Sequence, residues 1–348
     1  MEYPHGGDIY TYENMLDFSV NVNPFGPGEA VLEAVRRAVP DIVNYPDSQC
    51  RRLAKALAEK EHIRREQLIF GNGAAELLFS FTQAVRPKKA VLPVPAFAEY
   101  ERALESVGCE ICYVPLKREE NFDVTETLLD SLKEDVDVLF LCSPSNPAGR
   151  VLKEDLLEKI ADRCEKLHIR LVLDECFREF ADRRGQSFLT EKLEEYPMVF
   201  LLRAFTKTFA IPGLRLGYGI SSDTKLFFNM RKFMQPWNVS VLAQAAGEAA
   251  LGAKADSQIA AMRDDVAKER AWMEEQLTGL GIRYIASEAN FILFYSPLDM
   301  FSLLLKEGIL IRDCKNYRGL EKGYYRVAVK RHEENEKLMD AMRKILMR

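Results

Sequence analysis

The chain has 348 residues, 47% hydrophobic and 29% charged, with 48 Lys and Arg against 53 Asp and Glu for a formal net charge of −5. That length suggests roughly two domains; the mildly acidic balance, with no Lys/Arg-rich block, gives no electrostatic ground for binding nucleic acid. No stretch approaches the ~20 uninterrupted apolar residues of a membrane span, and the polar opening MEYPHGGDIYTYENMLDF has no signal-peptide core, so the chain is expected in the cytoplasm.

The first 44 residues, including VNVNPFGPGEAVLEAVRRAV, are too few for a domain and are expected to pack as an arm on the rest. In residues 45–250, helical patterns alternate with short apolar runs. RRLAKALAEKEH predicts a helix, QLIF a strand, AAELLFSFTQAV a helix, AVLPV a strand, EYERALESVG a helix and ICYVPL a strand. VDVLFLC (strand), KEDLLEKIADRCEKL (helix), LVLDECF, VFLLRAF and RLGYGIS (strands) follow. These strands are apolar on both faces, which predicts an α/β fold with a mostly parallel, seven-stranded sheet covered by helices. Residues 251–348 change character. A long amphipathic helix, SQIAAMRDDVAKERAWMEEQLTGLG, precedes strands IRYIA, NFILFY, ILIRD and YYRVAVK and helices DMFSLLLKE and EENEKLMDAMRKILM, a smaller α+β domain.

Seven scattered cysteines, with Cys109 and Cys112 the single close pair, and four dispersed histidines predict ordinary buried thiols and no metal site.

In open α/β sheets, ligands sit at the carboxyl ends of the strands, and chemistry-bearing residues fall there in order. After QLIF comes Gly71-Asn72-Gly73-Ala74-Ala75-Glu76, where small residues open a helix and let backbone N–H groups approach an anion. By itself such a strand-to-helix stretch with glycines is more often only a turn. After VDVLFLC, Asn146 stands in SPSNPAG between two prolines that stiffen the loop. Asp174 ends a buried strand, where a carboxylate needs a cationic or strong donor partner; alone it serves equally as a cap or structural ion pair. Lys207 lies in AFTKTFAIPGLRLGYG, and Arg215 follows a Pro-Gly turn into an apolar strand, where a buried guanidinium calls for an anion such as phosphate.

Taken together, GNGAAEL, SPSNPAG, LVLDE and FTKTFAIPGLRLGY resemble the fold-type-I pyridoxal-phosphate enzymes of the aminotransferase class I/II superfamily, along essentially the whole chain. The resemblance implies an aspartate aminotransferase-like fold and pyridoxal 5'-phosphate as cofactor. It makes Lys207 the lysine that carries the cofactor covalently, and Asp174 the carboxylate that keeps the pyridine nitrogen protonated so that the ring is an electron sink. Asn146 would donate to the ring hydroxyl oxygen, Gly73, Ala74 and Ala75 would cradle the phosphate with Thr206 and Arg215, and Phe97 would stack on the ring, unless it is a core aromatic. Tyr45 matches a tyrosine that reaches the cofactor phosphate of a neighbouring subunit, implying a homodimer with shared sites. Two positions depart from many relatives: Phe177 replaces a tyrosine, and Ala204 replaces a Ser or Thr, each removing a hydrogen bond of ~1 kcal/mol net.

Arg326 matches the family arginine that clamps a substrate α-carboxylate, and Arg312 a position that binds a distal phosphate; a strand-end ion pair is the plain reading of each. Two branches have that second arginine, histidinol-phosphate aminotransferases and the threonine-phosphate decarboxylases of cobamide biosynthesis. His5-Gly6-Gly7-Asp8 and the FSVNVNPFGP run containing Asn23, with Phe177 and Ile311-Arg312-Asp313-Cys314, are more similar to the second. The resemblance thus implies decarboxylation of O-phospho-threonine or a close phospho-amino acid, with His5 and Asn23 near the substrate. Transamination is the alternative. A non-enzymatic pyridoxal-phosphate-binding regulator would need a basic DNA-binding segment, which the N-terminus lacks.

Overall fold

Alternate residues of the central strands enter two different cores. Leu139, Leu141, Leu171, Leu173, Val199 and Leu201 pack on one side, and Val138, Phe140, Val172, Phe200 and Leu202 on the other. A period of two with both faces apolar forces a sheet with helices on either side. The structure is a computed structural model and describes residues 5–181 and 188–347.

In chain order the strands are β1 (Leu16–Asp17), β2 (Leu68–Asn72), β3 (Lys89–Val94), β4 (Glu110–Pro115), β5 (Val138–Cys142), β6 (Arg170–Asp174), β7 (Val199–Ala204) and β8 (Leu216–Ile220). They continue with β9 (Arg283–Ile285), β10 (Phe291–Tyr295), β11 (Ile309–Leu310), β12 (Arg312–Asp313) and β13 (Tyr324–Ala328). The large sheet has seven strands in the order β2-β8-β7-β6-β5-β3-β4, and β8 runs antiparallel to both of its neighbours. The smaller domain holds the antiparallel sheet β12-β13-β10-β9, backed by the helix Ala255–Gly279. Among the described residues no helix is long and apolar enough to cross a membrane.

The first residues touch both parts. β1 pairs in parallel with β11, Phe18 O accepts from Ala328 N at 2.9 Å, and Asn23 N donates to Lys207 O at 2.9 Å.

Three local expectations change. LVLDECF is a strand only to Asp174, because the Cys176 N–H turns back onto Asp174 Oδ1 (2.9 Å) and Arg178 N bonds to Glu175 O (3.0 Å). ILIRD divides between two sheets, Ile309–Leu310 pairing with β1 and Arg312–Asp313 with β13. Helices Thr224–Met230 and Val241–Ala250 lie in a stretch that the apolar periodicity leaves unassigned; Asp223 and Ser240 cap them, accepting from Lys225 and Leu226 N and from Ala243 N.

Candidate active site

The sheet brings four chain segments to one edge. Strands β2, β5, β6 and β7 end there, and antiparallel β8 begins there; Cys142 is in register with Asp174, Ala204 with Gly217, and Asn72 with Leu216. The loops carrying Gly73, Asn146, Asp174, Lys207 and Arg215 therefore converge, although they are up to about 140 residues apart in sequence.

Asp174 is buried and accepts two hydrogen bonds, from Tyr100 Oη to Oδ2 at 2.6 Å and from Cys176 N to Oδ1 at 2.9 Å. Burial raises its pKa, and these two donors oppose the rise without cancelling it. Tyr100 is itself buried, stacked on Phe140 (5.6 Å) and met edge-on by Phe97 (5.7 Å, 83°). Lys207 lies in the short helix Phe205–Thr208 that follows β7. Burial, followed by the positive charge of Arg326, lowers its pKa to about 8. Its Nζ is 6.0 Å from the centre of the Phe177 ring, which packs edge-on against Phe291.

The anion cradle depends on two glycines. Gly73, at φ +79°, precedes the helix Ala74–Val85, whose first N–H groups have no partner within the helix. A Cβ at Gly73 would strike the Arg215 guanidinium, and one at Gly217 would strike the backbone of Gly73 and Ala74. Ala75 continues the same first turn. Thr206 is buried nearby in the chain. Arg215 differs from expectation: it is exposed, in the left-handed region at φ 57°, and donates to Pro212 O at 3.0 Å, so the Pro-Gly turn lifts it over the cradle rather than into the core.

From the smaller domain, Arg326 is 6% exposed. Its Nη1 donates to Asn146 Oδ1 (2.5 Å) and Tyr317 Oη (3.4 Å), and its Nη2 to Ser19 O (3.2 Å). Its Nε is buried with no partner, and no carboxylate pairs with it among the described residues. Asn146 is buried and also accepts from Tyr317 Oη at 3.2 Å, which leaves its NH2 as the end that can donate to a ligand. Arg312 is 9% exposed, sits directly opposite Arg326 across β12 and β13, donates to Asn316 Oδ1 at 2.7 Å and lies 5.4 Å over the Tyr317 ring.

The remaining expected residues fall into place less directly. Phe97 caps the helix Ala98–Glu105. His5 Nε2 is 2.8 Å from Glu99 Oε1 and its ring 6.0 Å from that of Phe97, which brings the arm to the same edge. Asn23 is engaged with backbone: its Nδ2 donates to Thr208 O (2.9 Å) and its Oδ1 accepts from Phe25 N (3.0 Å), clamping the Lys207 turn. Tyr45 does not join the group within one chain. It is 77% exposed and stacks on Trp237 at 4.3 Å.

The motifs do not reveal Tyr100, Tyr317, Ser19 or the buried Arg203 with Glu61 and Glu175. Glu175 had a visible signal, a second carboxylate beside Asp174 at a buried strand end, which demands a cation. Arg203 in the next strand is that cation, with Nε 2.7 Å from Glu175 Oε2 and Nη1 2.7 Å from Glu61 Oε2.

The donor set suits an anionic aldehyde cofactor such as pyridoxal phosphate. A buried amine near pKa 8, a buried acceptor carboxylate, and a glycine cradle that a Cβ would fill could meet its carbonyl, its ring nitrogen and its phosphate.

Residues 13–342 match the family described as aminotransferase class I and II. The chain is 37% identical to the threonine-phosphate decarboxylase of Salmonella typhimurium, over 98% of this chain and 96% of that one. It is 32% identical to the adenosylcobalamin biosynthesis bifunctional protein CobDQ of Leptospira interrogans, over 98% of this chain and 41% of that longer protein. Among solved structures, the histidinol-phosphate aminotransferase of Clostridium acetobutylicum superposes with a TM-score of 0.88 at 28% identity, over 96% of this chain and 99% of that one.

Proposed function

The chain belongs to the aminotransferase class I and II family, and from that premise we propose that it decarboxylates O-phospho-L-threonine to (R)-1-amino-2-propanol O-phosphate in cobamide biosynthesis, or acts likewise on a close phospho-amino acid such as O-phosphoserine. It is a pyridoxal 5'-phosphate enzyme. The observation that carries the substrate class is Arg326, a buried guanidinium with an unpartnered Nε and no carboxylate of its own, beside a second buried arginine, Arg312. A buried charge without a counter-ion is costly, and a dianionic substrate would supply what is lacking.

The bound cofactor supplies an electron sink for the pair released when a bond at the substrate α-carbon breaks. Asp174 would hold a proton on the ring nitrogen, and Tyr100 keeps that carboxylate oriented. Arg326 would fix the α-carboxylate and Arg312 the phosphate. Lys207, its amine lowered to about 8, is suited to return a proton to the α-carbon after carbon dioxide leaves. His5, tied to Glu99, would close the arm over the phosphorylated end. The exposed Tyr45–Trp237 pair supports a homodimer in which Tyr45 serves the partner's site, and a cytoplasmic location is part of the same reading.

Incubating the cofactor-loaded enzyme with O-phospho-L-threonine tests the reading. Carbon dioxide and a phosphorylated amino-propanol are expected without 2-oxoglutarate. Glutamate formed only with added 2-oxoglutarate, and no carbon dioxide, would assign the chain instead to transamination, the activity named for its 28%-identical structural neighbour.

A further inference from the structure

We infer that Tyr317 is a positioning residue that sets specificity, holding the carboxylate-binding and phosphate-binding arginines in a fixed relation; this rests on the roles proposed for Arg326 and Arg312. Those two arginines are in register on adjacent antiparallel strands, so their side chains share one face of the sheet. Like charges placed directly opposite repel, and both are buried, where water screens them little.

Tyr317 engages each by a different part. Its hydroxyl donates to Asn146 Oδ1 (3.2 Å) and accepts from Arg326 Nη1 (3.4 Å), and its ring face lies 5.4 Å from the Arg312 guanidinium carbon. The ring's electron-rich face attracts a cation without neutralising it. Tyr317 is 5% exposed and its backbone is tied at both ends, N to Cys314 O and O to Leu320 N, each at 3.0 Å. The next residue anchors the loop to the other domain: Arg318 Nε donates to Glu101 Oε1 at 3.0 Å, and its guanidinium lies 4.2 Å over Tyr113. The loop between β12 and β13 thus presents the two cations to the cofactor edge as a unit, matched to a ligand with a carboxylate at one end and a phosphate at the other.

The two parts of the side chain can be removed separately. Tyr317→Phe deletes the hydroxyl and keeps the ring; Tyr317→Leu deletes both. Calorimetric titration of cofactor-loaded enzyme with L-threonine, a carboxylate without phosphate, and with O-phosphoethanolamine, a phosphate without carboxylate, reads each arginine in turn. In Tyr317→Phe, L-threonine is expected to bind about tenfold more weakly and O-phosphoethanolamine to stay within about twofold of wild type. In Tyr317→Leu, both weaken by about tenfold. A Phe variant that matches wild type with both probes, or weakens both equally, overturns the positioning role while leaving the two-arginine site in place. Wild-type enzyme that binds neither probe overturns that site and this inference with it.

Discussion

Arg326 acts electrostatically on Lys207: after burial, its guanidinium is the strongest influence holding the Lys207 amine down to about 8. The two residues belong to different sheets, Arg326 to β13 and Lys207 to the turn after β7. On the roles proposed for them, their approach would place a cation for a substrate anion beside an amine for covalent and proton chemistry. Until an anion arrives, Arg326 disfavours the charge of Lys207.

That relationship predicts how the apoprotein's stability varies with pH. A lysine is charged up to ~10.4 in the unfolded chain and only to about 8 in the folded one. Between those values the unfolded state binds more protons, so stability rises with pH, and below pH 8 the full penalty is present. Lys207→Met should therefore be more stable than wild type at pH 7, on the order of 2 kcal/mol after allowing for partial solvent access, and the gap should close by about pH 10.5. Urea unfolding of both apoproteins at three pH values measures this. Parallel curves at every pH would rule it out.

Tyr100→Phe keeps the ring that stacks on Phe140 and removes the donor to Asp174 Oδ2. Burial already raises the Asp174 pKa, and loss of this donor raises it further, favouring a neutral acid that pairs poorly with a protonated ring nitrogen. Hydrogen bonds to charged groups contribute ~1.5–3 kcal/mol, so cofactor affinity should fall about tenfold or more. The loss should be largest at low pH, where Asp174 protonates first. Equilibrium dialysis of pyridoxal phosphate between pH 6 and 9 checks it, and unchanged affinity across that range would refute it.

Beneath the site, Arg203 is 2% exposed and pairs with both Glu175 and Glu61. Burial pushes the Glu61 carboxyl up, but Arg203 and Arg178 outweigh it and hold it at about 2. A depressed carboxylate contributes stability that is present above its unfolded value of ~4.3 and is lost as pH falls towards 2. Arg203→Met would leave two buried carboxylates short of their partner, which costs ~3–5 kcal/mol. Unpaired and buried, those carboxyls titrate higher in the fold, so the variant's deficit should be largest near pH 7 and shrink as falling pH neutralises them. Urea unfolding of both proteins at about pH 7 and about pH 4 measures this, and a deficit equal at the two would contradict the role given to this network.

The sheet was legible because its central strands are mostly apolar on both faces, and the candidate site edge because Asp174 ends one strand while Gly73, Asn146, Lys207 and Arg215 stand in the loops next to the ends of others. What pattern-reading could not supply were partnerships between elements distant in the chain. Tyr100 looks like one more core aromatic until strand register sets Asp174 beside it, 74 residues on. Tyr317 lies in a short polar loop whose closure depends on a cross-domain contact to Glu101 by its neighbour Arg318. The strand assigned to ILIRD divides because Ile311 falls between two sheets, a tertiary event with no local signal. The sequence predicts Arg215 as a buried guanidinium serving an anion; it is exposed instead, because its left-handed backbone lifts it over the Gly73 turn.

The exposed Tyr45–Trp237 stack bears on whether two copies share their sites. Two large aromatics, 77% and 46% exposed and stacked at 4.3 Å, form an apolar surface that a second copy would cover. If Tyr45 reaches the partner's cofactor phosphate, Lys207→Ala and Tyr45→Ala chains should both be impaired alone yet complement one another when mixed. In a mixed dimer, one site combines an intact Lys207 from one chain with an intact Tyr45 from the other, and the second site carries both defects. Random reassortment of equal amounts then restores about a quarter of the wild-type sites, because about half of the dimers are mixed and each has one good site of two. Denaturing and refolding the two variants together, then measuring turnover, tests this against a control in which they are refolded separately. Activity no greater than the sum of the controls would place Tyr45 in its own subunit's chemistry, or in none.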